Sequence, residues 1–488
     1  MSKTLRKSPN LDFVKKHPLI FLLSLLYIGV MSFLVYKNNY YLAALPLGLV
    51  VIYISIFYQS QTFLLVAFLT PLSVNLEEFT DGKIGLYLPT EPILFGLMLL
   101  TIIYQLQNNY LPKHIWKHPI TLSFGVYLLW VFITSITSSH VDVSFKFLLM
   151  KLWFIIPLLL FGTKVFLDKK NIIRFLWLFS VSMSVAIFYT LIRHWGYNFG
   201  EKEGHWVMSP LFKDHTIYGA IVAINLFFLL GLYFSKKHPP LTQVILLILL
   251  TLTLIGLYFS YTRGAWLSVV VALAVWLFIH YKVKFKYLFI AGVSFLLILF
   301  ISWDKIQMEL ARNNAEHTTE QFDERLRSAA NITSDASNLE RLNRWSAAWE
   351  MFKERPVFGF GPATYAFEYA PYQDPEKLTI ISTNFGNMGN AHSEYLGPLA
   401  EMGILGFISM LLIVIAIFYT GITLYIRYPT KEKEMRTLLL FMILALVTYF
   451  FHGILNNYLD TDKAAVPVFA ICAAIIALDK RKIDQTVG

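Results

Sequence analysis

Three arginines and one histidine are the residues of this chain best suited to chemistry on a charged substrate. Arg263, in SYTRGAWLS, stands where one apolar run ends and the next begins, a place where a guanidinium is costly unless it meets water, an anion or a partner. It reads either as an anion ligand or as an interfacial side chain whose head snorkels to water. Arg341 and Arg344 lie three residues apart, so on a helix both face one way and can grip a diphosphate through paired N–H···O contacts. The plainer alternative is a solvated face with Glu340 and Glu350 as ion partners. His392 opens HSEYLGPLAEMGILG, and a histidine at a water–membrane boundary takes a proton near neutral pH; capping is its plainer role. A helix starting near Asn390 would bring Gly403 and Gly406 back to the His392 face and open it to close packing. Glu394 and Glu401 beside it call for a polar cavity, because carboxylates entering an apolar helix are expensive otherwise.

Two further groups are weaker candidates. The loop 194–215 carries Lys202 and His205, which read as bland polar surface, and then Lys213, Asp214 and His215, which are placed to wall a site. HGILNNYLDTDK sets His452, Asn456 and Asn457 at the end of the next-to-last apolar run, as hydrogen-bonding ligands or as ordinary helix-end polar groups. No Walker A, HExxH or plausible GxSxG sequence is present, so ATP-driven, zinc-hydrolase and serine-hydrolase chemistry lack support. A single cysteine, Cys472, excludes an intrachain disulfide or a cysteine cluster, and no aspartate-rich metal motif faces the loops. The expectation is a catalyst with no metal and no cofactor.

The elements that must position these residues are membrane spans. Of 488 residues 56% are hydrophobic and 15% charged, with mean hydropathy +0.57, whereas soluble domains run near a quarter charged. That excludes a soluble globular protein. Apolar runs long enough to cross a hydrocarbon core predict an all-α polytopic membrane protein with spans near 18–36, 40–58, 61–75, 88–106, 119–138, 146–167, 173–193, 216–234, 241–261, 265–281, 286–303, 393–426, 437–457 and 464–478. The pairs 40–58/61–75 and 241–261/265–281 have very short connections, so losing one pair leaves 12 spans rather than 14. The net charge of +10 reflects sidedness and not nucleic-acid binding: more than half of the 41 Lys and Arg fall on the side of residues 1–17, which puts both termini in the cytoplasm. Lys3, Arg6, Lys7, Lys15 and Lys16 precede an apolar run without a small-residue cleavage site, the pattern of an uncleaved first span.

Residues 1–303 and 392–488 thus form two groups of spans around one large outer loop, 304–391. Within it NLERLNRWSAAWEMFKERP predicts an amphipathic helix with Leu342, Trp345, Trp349 and Phe352 on its apolar face, ended by Arg355-Pro356, and FGFGP is a turn. QFDERLRSAANITSDASN predicts a second helix and a loop.

These motifs resemble the O-antigen ligase and O-antigen polymerase superfamily of bacterial membrane glycosyltransferases. Arg263 with Leu267 fits an arginine–three–leucine element, ERLNRWSAAWEMFKERPVFGFGPATY is similar to the family's outer-loop segment, and HSEYLGPLAEMGILG fits the ligase pattern of His, Ser, nine residues, Gly, two residues, Gly. The resemblance spans roughly 200–460. It implies transfer of a glycan from undecaprenyl diphosphate to a sugar hydroxyl of lipid A–core, on the periplasmic face of the inner membrane, without ATP or metal. It further implies that Arg263, Arg341 and Arg344 hold the diphosphate and that His392 is the general base, which makes the transfer inverting. A polymerase or a protein O-oligosaccharyltransferase shares these motifs; a transporter would instead place charged residues near the bilayer midplane.

Overall fold

The computed structural model describes residues 18–37, 45–79, 85–282, 336–374 and 389–486. The expected span 286–303 and nearly all of the expected second loop helix lie outside them. The chain divides into two compact units, 1–62 and 63–488. The first holds α1 (Pro18–Tyr36), α2 (Leu45–Phe57) and the opening of α3 (Gln59–Leu69).

The second unit contains α4 (Thr90–Asn108), α5 (Pro119–Ile136), α6 (Val141–Phe166), α7 (Lys169–Trp195), α8 (His215–Ser235), α9 (Pro240–Tyr258), α10 (Arg263–His280), α11 (Ala336–Glu354), α12 (Leu396–Arg427), α13 (Lys433–His452) and α14 (Asp462–Thr486). Among the described residues nine helices are long and apolar enough to cross a membrane, as a chain whose backbone polar groups must be satisfied within each span requires. Both α9 and α10 are separate helices, so the pair 241–261/265–281 stands. The expected span 61–75 shrinks: α3 ends at Leu69, and Val74–Asn75 leaves the helix to pair antiparallel with Tyr87–Leu88. At 13 and 11 residues, α2 and α3 are each short of a full crossing.

The core of the unit is α8 packed along α13, with 83% and 78% of their apolar windows buried, against 22% and 17% for α9 and α10. Buried Asn225 of α8 reaches Thr253 of α9 at 3.2 Å, a polar link of the kind that joins helices where lipid offers no partner.

α11 forms where the sequence predicts it, but a different stripe is buried. Glu340, Asn343, Arg344, Ala347, Ala348 and Met351 face inward, while Trp349 is 49% exposed. Small alanines permit close approach, and Arg344 can turn inward because Glu340 neutralises it. Ala347, Ala348 and Met351 share a small core with Phe360, Tyr365, Tyr369, Ala391 and Ala400, so the described part of the large loop is continuous with the start of α12.

α12 starts at Leu396, not near Asn390, and its backbone breaks at Gly403 (φ 65°, ψ −165°). No continuous helix therefore carries His392 and the two glycines on one face. The break receives the turn after α11: Ile404 N donates to Pro356 O (2.9 Å) and Gly361 N to Glu401 O (2.7 Å). Gly359, at φ +66°, lies so close that a Cβ there would fall 2.3 Å from the Glu401 carbonyl carbon. Gly359→Ala is expected to cost about 1–3 kcal/mol and to lower the melting midpoint of the detergent-purified protein; an unchanged midpoint would refute this reading of the turn.

Candidate active site

The candidate residues converge at the end of the bundle where α7 finishes, α8 starts, α10 starts and α13 finishes. Asp214 is the N-cap of α8: its Oδ1 accepts from Thr216 N (2.8 Å) and Ile217 N (3.1 Å), and also from the Thr216 hydroxyl, which in turn meets Tyr458. His215 follows, its ring stacked 4.1 Å from that of His205, and its carbonyl accepts from Thr262 Oγ1 (2.7 Å). That bond sets Arg263, first residue of α10, beside the start of α8. Gly264 next to it lies against the ring of His452, the buried last residue of α13. Lys213 turns away to an exposed pairing with Glu77, and Lys202 lies in the one-turn helix Glu201–Gly204, its carbonyl accepting from His205 N (3.3 Å).

His392 sits on a non-helical strap, residues 389–395, between α11 and α13. Its own φ is 48°, a left-handed conformation that a histidine holds only when its surroundings impose it. The restraints are explicit. Arg344 NH1 donates to Asn390 O (3.0 Å), Asn390 Oδ1 accepts from His392 N (3.0 Å), and Trp345 Nε1 donates to His392 O (3.4 Å). Gly389 leaves room for the Arg344 guanidinium, which would stand 1.7 Å from any Cβ at that position. On the far side, Glu394 N donates to Gly453 O (2.8 Å), while Glu394 Oε1 accepts from Tyr449 OH (2.5 Å), Tyr458 N (2.7 Å) and Leu459 N (3.0 Å). Glu394 thereby ties the strap to the segment after α13.

The two arginines of α11 have different stations. Arg344, 5% exposed, is committed to Glu340 at 2.7 Å, to Asn390 O and to the Tyr369 ring at 5.1 Å. Arg344 is thus buried and shapes the strap, while Arg341 lies at its flank with Nε 3.3 Å from Leu455 O. Glu350 pairs with Lys353 and plays no part in the site. Asn456 bridges the histidines: its Nδ2 is 3.1 Å from His452 Nε2, and its side chain also hydrogen-bonds His392. Burial, with Arg344 and Arg341 nearby, drives the His392 pKa down to about 3, outweighing Asp214 and Asn456. His392 is thus a neutral imidazole at physiological pH, able to accept a proton.

The polar cavity that Glu394 and Glu401 require is present. A space of about 180 Å³ behind the strap is lined by both of them with Lys151, Asn457 and Asp460, and Lys151 pairs with Asp460 at 2.5 Å. Burial, reinforced by Asp460, raises the Glu394 pKa against the donors on its carboxylate. Sequence reasoning gave no role in the site to Lys151, Asp460, Asn390 or Trp345; only the position of Asn390 two residues before His392 carried a signal. Among the described residues, no three His, Cys, Asp or Glu side chains gather as a metal site.

This site, in a multi-pass helical membrane protein, lies largely within a stretch similar to the O-antigen ligase family. Residues 245–411, from α9 into α12, match the family model described as O-antigen ligase, a stretch that holds Arg263, Arg341, Arg344 and His392 and stops before His452 and Asn456. An uncharacterized protein of Haemophilus influenzae is similar, with 25% identity over 253 residues; the match covers 50% of this chain and 59% of that relative.

Removing one member of a buried ion pair leaves the other charge uncompensated, typically at about 3–5 kcal/mol. Arg344→Met should therefore reduce the folded yield sharply, and adding Glu340→Gln should restore it, as read by gel-filtration recovery of the detergent-solubilised protein. Equal recovery of Arg344→Met and wild type would contradict the buried pair.

Proposed function

We propose that this protein is a glycosyltransferase of the O-antigen ligase type, transferring a glycan from undecaprenyl diphosphate to a sugar hydroxyl of lipid A–core. The observation that carries the reading is a neutral His392 held beside Arg341 and hydrogen-bonded to Asn456, with Asp214, His215 and His452 at the same helix ends. The reaction needs a base at the acceptor hydroxyl and positive charge at the leaving group. His392 supplies the first. The hydroxyl oxygen attacks the anomeric carbon from the face opposite the diphosphate, its proton passes to the imidazole, and the bond to the diphosphate oxygen breaks with its electron pair left on that oxygen. The configuration inverts.

Arg263 and Arg341 hold the departing diphosphate, while Arg344 acts through the strap as a positioning residue. Asn456 and His452 orient the base, and Asp214 with His215 forms the wall opposite α11. Lys213, paired on the surface, takes no part. The basic residues assigned to the other loops support a site on the periplasmic side of the bacterial inner membrane, with both termini cytoplasmic. The donor and acceptor each bring their own lipid anchor, so the bilayer itself presents both substrates.

His392→Ala and Arg263→Ala should each abolish transfer, by at least about 10²-fold for the base, with membrane abundance unchanged. Full activity of either variant would sink the assignment. In proteoliposomes supplied with lipid-linked glycan and a choice of acceptors, glycan should appear on lipid A–core, and EDTA should leave the rate unaltered. Lengthened lipid-linked chains in place of that product would identify a polymerase, and glycosylated protein an oligosaccharyltransferase.

A further inference from the structure

At the opposite end of the helices the structure gathers positive charge that the transfer reaction does not use. Three separate places in the chain, the start of α7, the segment after α8 and the turn from α12 into the start of α13, bring Lys169, Lys170, Lys236, Lys237, Lys431 and Lys433 around one pocket of about 780 Å³. Glu432 pairs with Lys169 and Glu434 with Lys236 (2.8 Å). Lys170, Lys237, Lys431 and Lys433 are exposed, so the pocket carries a net surplus of four positive charges. Like charges drawn from distant parts of the chain to one concavity repel, and an anion seated there relieves that repulsion.

The pocket lies where the apolar windows of α7, α8 and α13 give way to charge, the level of lipid headgroups. Its rim carries Tyr233 and Phe234; Phe234 is 55% exposed and stacks on Phe441 of α13. An apolar wall below a basic pocket matches a ligand with a phosphate head and acyl chains.

We infer that this pocket binds the headgroup of an anionic phospholipid, with the lysines on its phosphate and Phe234 against its chains. Such a site is distinct from the diphosphate site, since it lies at the other ends of α8 and α13.

The test uses the full-length protein exchanged into nanodiscs, with bound lipid counted by native mass spectrometry. Wild type should retain phosphatidylglycerol over phosphatidylcholine, and the double variants K170Q/K237Q and K431Q/K433Q should each weaken that retention about tenfold or more. K431R/K433R, which keeps the charge, should bind as wild type does. Equal retention of the two lipids by wild type needs no variant and would overturn the proposal. So would unchanged phosphatidylglycerol binding in a folded glutamine variant, or displacement of the lipid by inorganic phosphate alone, which would make the ligand a soluble phosphate.

Discussion

The strap 389–395 has to cross the mouth of an apolar bundle without a helix to satisfy its backbone, and the rest of the site follows from how that constraint is met. Arg344 can serve the Asn390 carbonyl only because Glu340 has already neutralised it and Gly389 lets it approach. Glu394 can enter a buried position only because one hydroxyl and two backbone amides converge on its oxygen. Between these two anchors His392 is held in a left-handed conformation that it would otherwise leave. The geometry of the candidate site is thus a by-product of hydrogen-bond satisfaction in a place where an unmet polar group is costly.

The same arrangement sets the electrostatics. Burial disfavours protonation of the imidazole, and two guanidiniums nearby add to the effect. A base kept neutral beside positive charge suits a reaction in which a proton must be accepted while negative charge accumulates a few ångströms away. Asp214 opposes this shift without overcoming it and is engaged in capping α8, while Glu340 holds Arg344 and Glu394 is bound by its three donors.

Much of this was legible in the sequence, for physical reasons that also explain what was not. Spans such as α8 and α13 announce themselves because the bilayer fixes both length and polarity. The residues His392, His452 and Asn456 could be singled out because polar groups at the ends of apolar runs are few, and Arg341 and Arg344 because a three-residue spacing sets both on one side of a helix. Their partnerships could not. Nothing in ERLNRWSAAWEMF says that the Glu340–Arg344 side, rather than the tryptophan side, is buried, because the choice depends on alanines meeting the 360–369 turn and on a pair formed inside the fold. The break at Gly403 was hidden for a similar reason: MGILG reads as helix until the turn after α11 is seen to occupy the space.

The central claim, that the fold holds His392 as a neutral base, is tested most directly by the pH dependence of kcat/KM for glycan transfer, which reports the ionisation of the free enzyme. With the His392 pKa lowered to about 3, its base form persists as pH falls, so kcat/KM should stay level from about pH 7 to about pH 5. An acid limb with an apparent pKa near 6.5, present in wild type and moved by substitution of His392, would show an ordinary exposed histidine and contradict the account.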